Sequence, residues 1–173
     1  MRETLELINQ MQSDGVIGKY AIGGAVGATF YLPPSATIDL DIFVELPKSS
    51  GSSLLTLTPI YEYLTARGCA VRHEHIVIGK WPVQFLSPSN PLEKDAIENA
   101  IPTDVNGVPT WVMRAEHLVA IALKTGRTKD HARILQFLDQ KAVNQTLLTT
   151  LLVRHQLPAK WKEFGRRYLS ESR

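Results

Sequence analysis

Apolar residues at Leu5, Ile8 and Met11 recur at helical spacing and predict a first helix, which Asp14-Gly15 ends. Residues 19–22 then read as a short strand, Gly23-Gly24 follows at once, and residues 25–32 read as a short helix stopped by Pro33-Pro34. The clearest strand spans 37–46, with Ile38, Leu40, Ile42 and Val44 on one face. The serine-rich stretch 47–53 predicts a surface loop, and 54–66 a helix laid over the sheet and ended by Arg67-Gly68. Further strands are expected at 69–74, 75–78 and 83–86, with a short helix over 91–100 and a hairpin turn at Asn106-Gly107. From Met113 onward the pattern is helical, with helices expected over 114–124, 129–138, 141–153 and 159–169.

This order predicts an α/β (α+β) fold: a small mixed sheet backed by helices in residues 1–110, and a helical region in 111–173 that closes a cleft against it. A chain of 173 residues is long enough for one compact domain with a real core. The net charge of +2 is too small to indicate a nucleic-acid partner by itself. Cys69 is the only cysteine, which excludes an intrachain disulfide and a thiolate metal cage. No stretch has the length of a membrane span, and the start lacks the apolar run of a signal peptide. The expectation is a cytoplasmic protein with no membrane partner.

Within the clearest strand stand two acids, Asp39 and Asp41. Residues two apart on a strand point the same way, so both carboxylates lie on one face, close enough to share a cation. A buried carboxylate is costly unless it is paired, hydrogen-bonded or holding a metal. Two hard oxygen ligands on a rigid strand suit Mg²⁺, or Mn²⁺, with room left for phosphate oxygens. The plainer alternative is an edge strand with its polar face in water. Gly23-Gly24, one short helix upstream, lets the backbone approach a ligand closely. The surrounding residues carry neither a Walker loop nor a dinucleotide fingerprint.

The run G-G-A-V from Gly23, with Leu32 six residues beyond Val26, followed by T-I-D-L-D-I-F-V from Thr37, resembles the signature of the nucleotidyltransferase superfamily that includes DNA polymerase beta. More narrowly it is similar to small bacterial AbiEii-toxin-like nucleotidyltransferases. A second block, MRAEHLVAIALKTGRTKDHARI over 113–134, is similar to the helical block of those proteins. The resemblance spans roughly residues 15–138. It implies an NTP substrate bound by Gly23 and Gly24, divalent metal on Asp39 and Asp41, and phosphate contacts from Lys124 and Arg127. Asp39, Asp41 and Lys124 are then the catalytic residues. Lys129 and Asp130 belong to the same block, Asp130 either orienting a cation or capping the next helix.

The family's third carboxylate falls here on Gln84, which bears no charge and cannot deprotonate an attacking hydroxyl. Glu74 is the acid that could compensate. His73 and His75 share a strand face on this reading, too few ligands for a closed zinc site. The implied function is transfer of a nucleoside monophosphate from an NTP to an acceptor hydroxyl on RNA, protein or a small molecule. The alternative is an impaired nucleotide-binding or toxin–antitoxin-type interaction module, with a cognate antitoxin or a second copy of the chain as partner.

Overall fold

The helical spacing of Leu5, Ile8 and Met11 becomes α1 (Arg2–Ser13), which buries those three side chains together with Thr4. The Thr4 hydroxyl donates to the Ile78 carbonyl at 3.0 Å and so fixes α1 beneath the sheet. A computed structural model describes residues 1–34, 37, 39–47 and 56–169. Ile38, most of the expected 47–53 loop and the start of the helix expected from residue 54 lie outside the described residues. After β1 (Tyr20–Ile22) and α2 (Gly24–Ala28) come β2 (Leu40–Val44) and α3 (Thr58–Thr65). The hairpin strands β3 (Ala70–Arg72) and β4 (His75–Ile78) lead to β5 (Trp81–Leu86) and α4 (Pro91–Glu98).

The α2 helix is shorter than its sequence suggests. The Thr29 hydroxyl turns back to the Val26 carbonyl at 2.7 Å, and the Tyr31 and Leu32 amides both bond the Ala28 carbonyl, so the chain leaves the helix well before the prolines. The strand expected over 69–74 also stops early, because His73 takes φ 55° and turns the chain. His73 therefore lies in the turn and does not share a strand face with His75. At Asn106-Gly107 both residues have positive φ, 54° and 82°, and close the hairpin of β6 (Ile101–Val105) and β7 (Val108–Val112) as expected. The remaining chain is helical: α5 (Ala115–Thr125), α6 (Thr128–Asp139), α7 (Gln145–Arg154) and α8 (Pro158–Tyr168). No helix among the described residues is long and apolar enough to cross a membrane.

The strands form one mixed sheet of seven in the order β3-β4-β5-β2-β1-β7-β6. β2 is central, parallel to β5 and antiparallel to β1. β1 has only three residues and joins the two sides of the sheet. Its parallel contact with β7 is narrow: Ile22 pairs with Val112, and the Met113 amide donates to the Ile22 carbonyl at 3.0 Å. The Tyr31 hydroxyl adds a bond to the Met113 carbonyl at 2.9 Å. Burial, and secondly the charge of Glu116, push that phenol up to about 12, so it remains a donor.

Alternation along β2 divides two cores. Leu40, Ile42 and Val44 pack with Leu5, Ile8, Met11, Ile60 and Leu64 under α1 and α3. Phe43 points the other way and joins Met113, Leu118, Val119 and Phe137 beneath the later helices. Each large apolar side chain so buried contributes about 1.5–3 kcal/mol. Asp41 lies on the Phe43 side, where the helical region meets the sheet.

At the edge of that second core, Asp95 on α4 gathers an arginine and two histidines. Its Oδ2 lies 2.8 Å from His155 Nε2, 3.2 Å from Arg154 Nη1 and 3.6 Å from His117 Nε2. His117 is buried, and both of its ring nitrogens lack a hydrogen-bond partner among the described residues. Burial holds its pKa below the ordinary 6.5 despite the opposing pull of Asp95. The unfolded chain therefore binds this proton at higher pH than the folded one, so the contribution to stability is lost as pH falls below 6.5. Urea unfolding at pH 7 and pH 5.5 is expected to show this loss in the wild type and a smaller one in His117→Leu. An equal loss in both proteins would remove His117 as its source.

Candidate active site

Asp41 reaches the site because period-two alternation on a central strand turns it away from Leu40 and Ile42, both fully buried on the opposite face. Asp39 lies just before β2 with its side chain 45% exposed. The parallel register of β2 and β5 sets Gln84 directly beside Asp41. Opposite the acids, the cleft wall is built by α5 and α6. Leu118, Ile121, Ala122 and Thr125 line it at the i, i+3, i+4, i+7 spacing of one helix face. Arg127, Lys129 and Arg133 supply positive charge. The enclosed volume is about 420 Å³.

Gly24 forms the floor. Its φ of +58° suits glycine, and a Cβ placed there would meet Asp41 Oδ2 at 1.8 Å. The Gly23 amide donates to the Asp41 carbonyl at 3.0 Å, tying the β1–α2 turn to the acid strand. A Cβ on Gly23 would meet the Phe43 ring at 2.7 Å. Both glycines are thus required by close approach of the backbone to β2.

Burial, then the neighbouring charge of Asp39, raise the Asp41 pKa above its ordinary 3.8, against the smaller pull of Arg133, His75 and Lys129. No donor among the described residues hydrogen-bonds the Asp41 carboxylate. Two acids facing one cavity, one of them half-buried and without a donor among the described residues, fit a hard divalent cation, and the Gln84 amide oxygen is a further neutral donor in register. Among the described residues no three His, Cys, Asp or Glu side chains are already gathered as a coordination shell. Glu93 also lines the cleft, but its Oε2 accepts from the Ser89 amide and hydroxyl at 2.6 and 2.9 Å.

On α6, Asp130 is 2% exposed and settles both of its expected roles. Its Oδ2 accepts from the Arg127 amide at 3.2 Å, capping the helix, and from Arg127 Nε at 2.7 Å, orienting the guanidinium. That bond raises the Arg127 pKa further above its ordinary range. Arg133 Nη1 stands 4.0 Å from Asp130 Oδ1, so one buried acid organises two arginines of the cleft.

The structure brings Asp39, Asp41, Gly24, Gln84, Arg127, Lys129 and Asp130 together, with Gly23 beside them. It does not bring Lys124 there. Lys124 is exposed, falls off the cleft-facing stripe of α5, and its carbonyl accepts from Lys160 Nζ at 3.0 Å. Lys129 and Arg133, four residues apart on one face of α6, stand in the cleft instead. Arg133 is the residue that sequence reasoning missed, and that i, i+4 spacing was the available signal. Glu74, expected as a compensating acid, is 64% exposed in the β3–β4 turn and does not line the cleft.

The fold is that of nucleotidyltransferase-like proteins. The crystal structure of an antigenic nucleotidyltransferase-like protein from Paracoccidioides brasiliensis superposes with a TM-score of 0.58 at 13% identity, covering 93% of this chain and 89% of that one. The solution structure of the antibiotic-resistance factor ANT(2'')-Ia aligns with a TM-score of 0.46 at 15% identity over 98% of this chain and 94% of that one. Its crystal structure in complex with adenylyl-2"-tobramycin gives 0.47 at 14% identity over 95% of this chain and 98% of that one. No family model matches the sequence, and no curated protein matches it.

Proposed function

We propose that the cleft binds a nucleoside triphosphate with a divalent cation and transfers its nucleoside monophosphate to an acceptor hydroxyl. The observation that carries this reading is the opposition of charge across one cavity: Asp39 and Asp41 at β2, and Arg127, Lys129 and Arg133 at and beyond the start of α6. Asp39 and Asp41, with Gln84 beside them, would hold the cation. When bound, the cation supplies charge neutralisation to the phosphates and to the transferring oxygens.

The chain's own groups do the rest. Arg127 offers a planar fork already oriented by Asp130, suited to paired phosphate oxygens, whereas Lys129 acts as a movable point charge. Gly24, lacking a side chain, keeps the floor beside Asp41 open. In the reaction the acceptor oxygen bonds to the α-phosphorus, the bond from that phosphorus to the bridging oxygen breaks, and pyrophosphate leaves with its electron pair. The hydroxyl proton must go to a base, and Gln84 cannot take it.

That gap favours a second reading, nucleotide binding with little turnover. Incubating the protein with labelled nucleoside triphosphates, Mg²⁺ or Mn²⁺, and pools of RNA, protein and small-molecule acceptors decides between them. Slow transfer by the wild type, raised about tenfold or more in Gln84→Asp, is the expected result, since a placed general base typically supplies 10²–10⁴-fold. Binding without transfer in both proteins would support the second reading. Absence of nucleotide binding by calorimetry would overturn both.

A further inference from the structure

One histidine beside the acids takes no part in the nucleotide-binding arrangement above. His75 opens β4, and its Nε2 lies 3.8 Å from Asp39 Oδ1. The next residue, Ile76, pairs with Val83, so His75 stands at the Gln84 end of that strand pair. Ile76 and Ile78 pack in the α1 core, which turns His75 to the opposite face, the one carrying Asp41 and Gln84. The imidazole is only 18% exposed. Its other nitrogen, Nδ1, faces Glu74 Oε1 at 4.0 Å.

Glu74 lies beyond hydrogen-bond distance of Nδ1, so no bond to that acid holds the ring, and Nε2 is the nitrogen directed to the acid pair. We propose that His75 is a ligand of the cation held by Asp39 and Asp41, filling from β4 the place that Gln84 leaves without a charge. The inference rests on the nucleotidyltransferase reading of the cleft.

Replacing a hard carboxylate with imidazole changes which ion the site prefers. Mg²⁺ favours oxygen ligands in a tight octahedron, whereas nitrogen ligation favours first-row transition ions. The site is therefore selective for Mn²⁺ over Mg²⁺ even before nucleotide binds. Asp39 and His75, 3.8 Å apart, would be the two side chains to approach a shared cation from β2 and β4.

Mn²⁺ is the probe, titrated into the full chain without nucleotide and followed by electron paramagnetic resonance, with Mg²⁺ as competitor. Pulsed measurements on the wild type should show ¹⁴N coupling to bound Mn²⁺. In His75→Ala that coupling should vanish and Mn²⁺ affinity fall about 10–100-fold, while Mg²⁺ affinity changes by less than about threefold. Bound Mn²⁺ that is released by Asp39→Asn yet shows no ¹⁴N coupling in the wild type would overturn the His75 assignment and leave the acid pair as the cation site. Mn²⁺ binding unaltered in both Asp39→Asn and Asp41→Asn would overturn the cation site itself.

Discussion

Asp41→Asn is expected to weaken Mg²⁺-dependent nucleotide binding by about a hundredfold or more, because it removes one of the two hard anionic donors proposed to hold the cation. The same substitution should stabilise the cation-free protein at neutral pH. Burial first, and the Asp39 charge second, raise the Asp41 pKa above 3.8, so the folded chain holds this proton to higher pH than the unfolded one. The stabilising contribution of the protonated acid is fully present below 3.8 and is lost as pH rises through the raised folded value. In chelator, then, the variant should exceed the wild type in urea midpoint at pH 7, and the difference should shrink toward pH 4. Calorimetry with nucleotide and Mg²⁺ gives the binding half of the result. A variant that binds like wild type and is less stable in chelator would show that Asp41 has a packing role instead.

Gly24→Ala is the second large effect. The backbone there is left-handed at φ +58°, which costs a residue with a Cβ about 1–2 kcal/mol. The added carbon would also fall 1.8 Å from Asp41 Oδ2, so either the carboxylate or the β1–α2 turn must move. The turn is held by the Gly23 amide on the Asp41 carbonyl, which leaves the carboxylate to swing into the cavity. Loss of about 2–3 kcal/mol in denaturant unfolding is expected, with nucleotide affinity reduced as severely as in Asp41→Asn. A variant with wild-type stability and affinity would mean that the close approach of Gly24 to Asp41 is not required.

Much of the acid side of the cleft was legible in the sequence. Alternation along β2 gave the facing of Asp41, and the glycine pair announced a close approach before any coordinate placed it. The basic side was less so. Periodicity marked residues 114–124 as a helix; in the fold Leu118, Ile121 and Ala122 line the cleft, and that phase excludes Lys124 from it. Which helix then supplies the cations depends on how α6 leaves the Gly126 turn, a matter of tertiary packing that spacing along one element does not contain. The approach of His75 to Asp39 was hidden for a similar reason. It depends on a hairpin whose turn is made by a non-glycine residue, His73, at positive φ, where the local sequence carries no Gly or Asn to announce it.

The three residues of β1 carry more than their length suggests. The acid pair belongs to β2 and its approach on one side of it, while β7 on the other side runs through Arg114 directly into α5 and thence to Arg127 and Arg133. Between them lie the Ile22–Val112 pair, the Met113 amide bond and the Tyr31 latch on the Met113 carbonyl. A small rotation along that seam would act as a lever, changing the distance between the oppositely charged walls while leaving the hydrogen bonds within each wall intact. The spacing of the two walls thus rests on a three-residue strand that does not itself line the cleft.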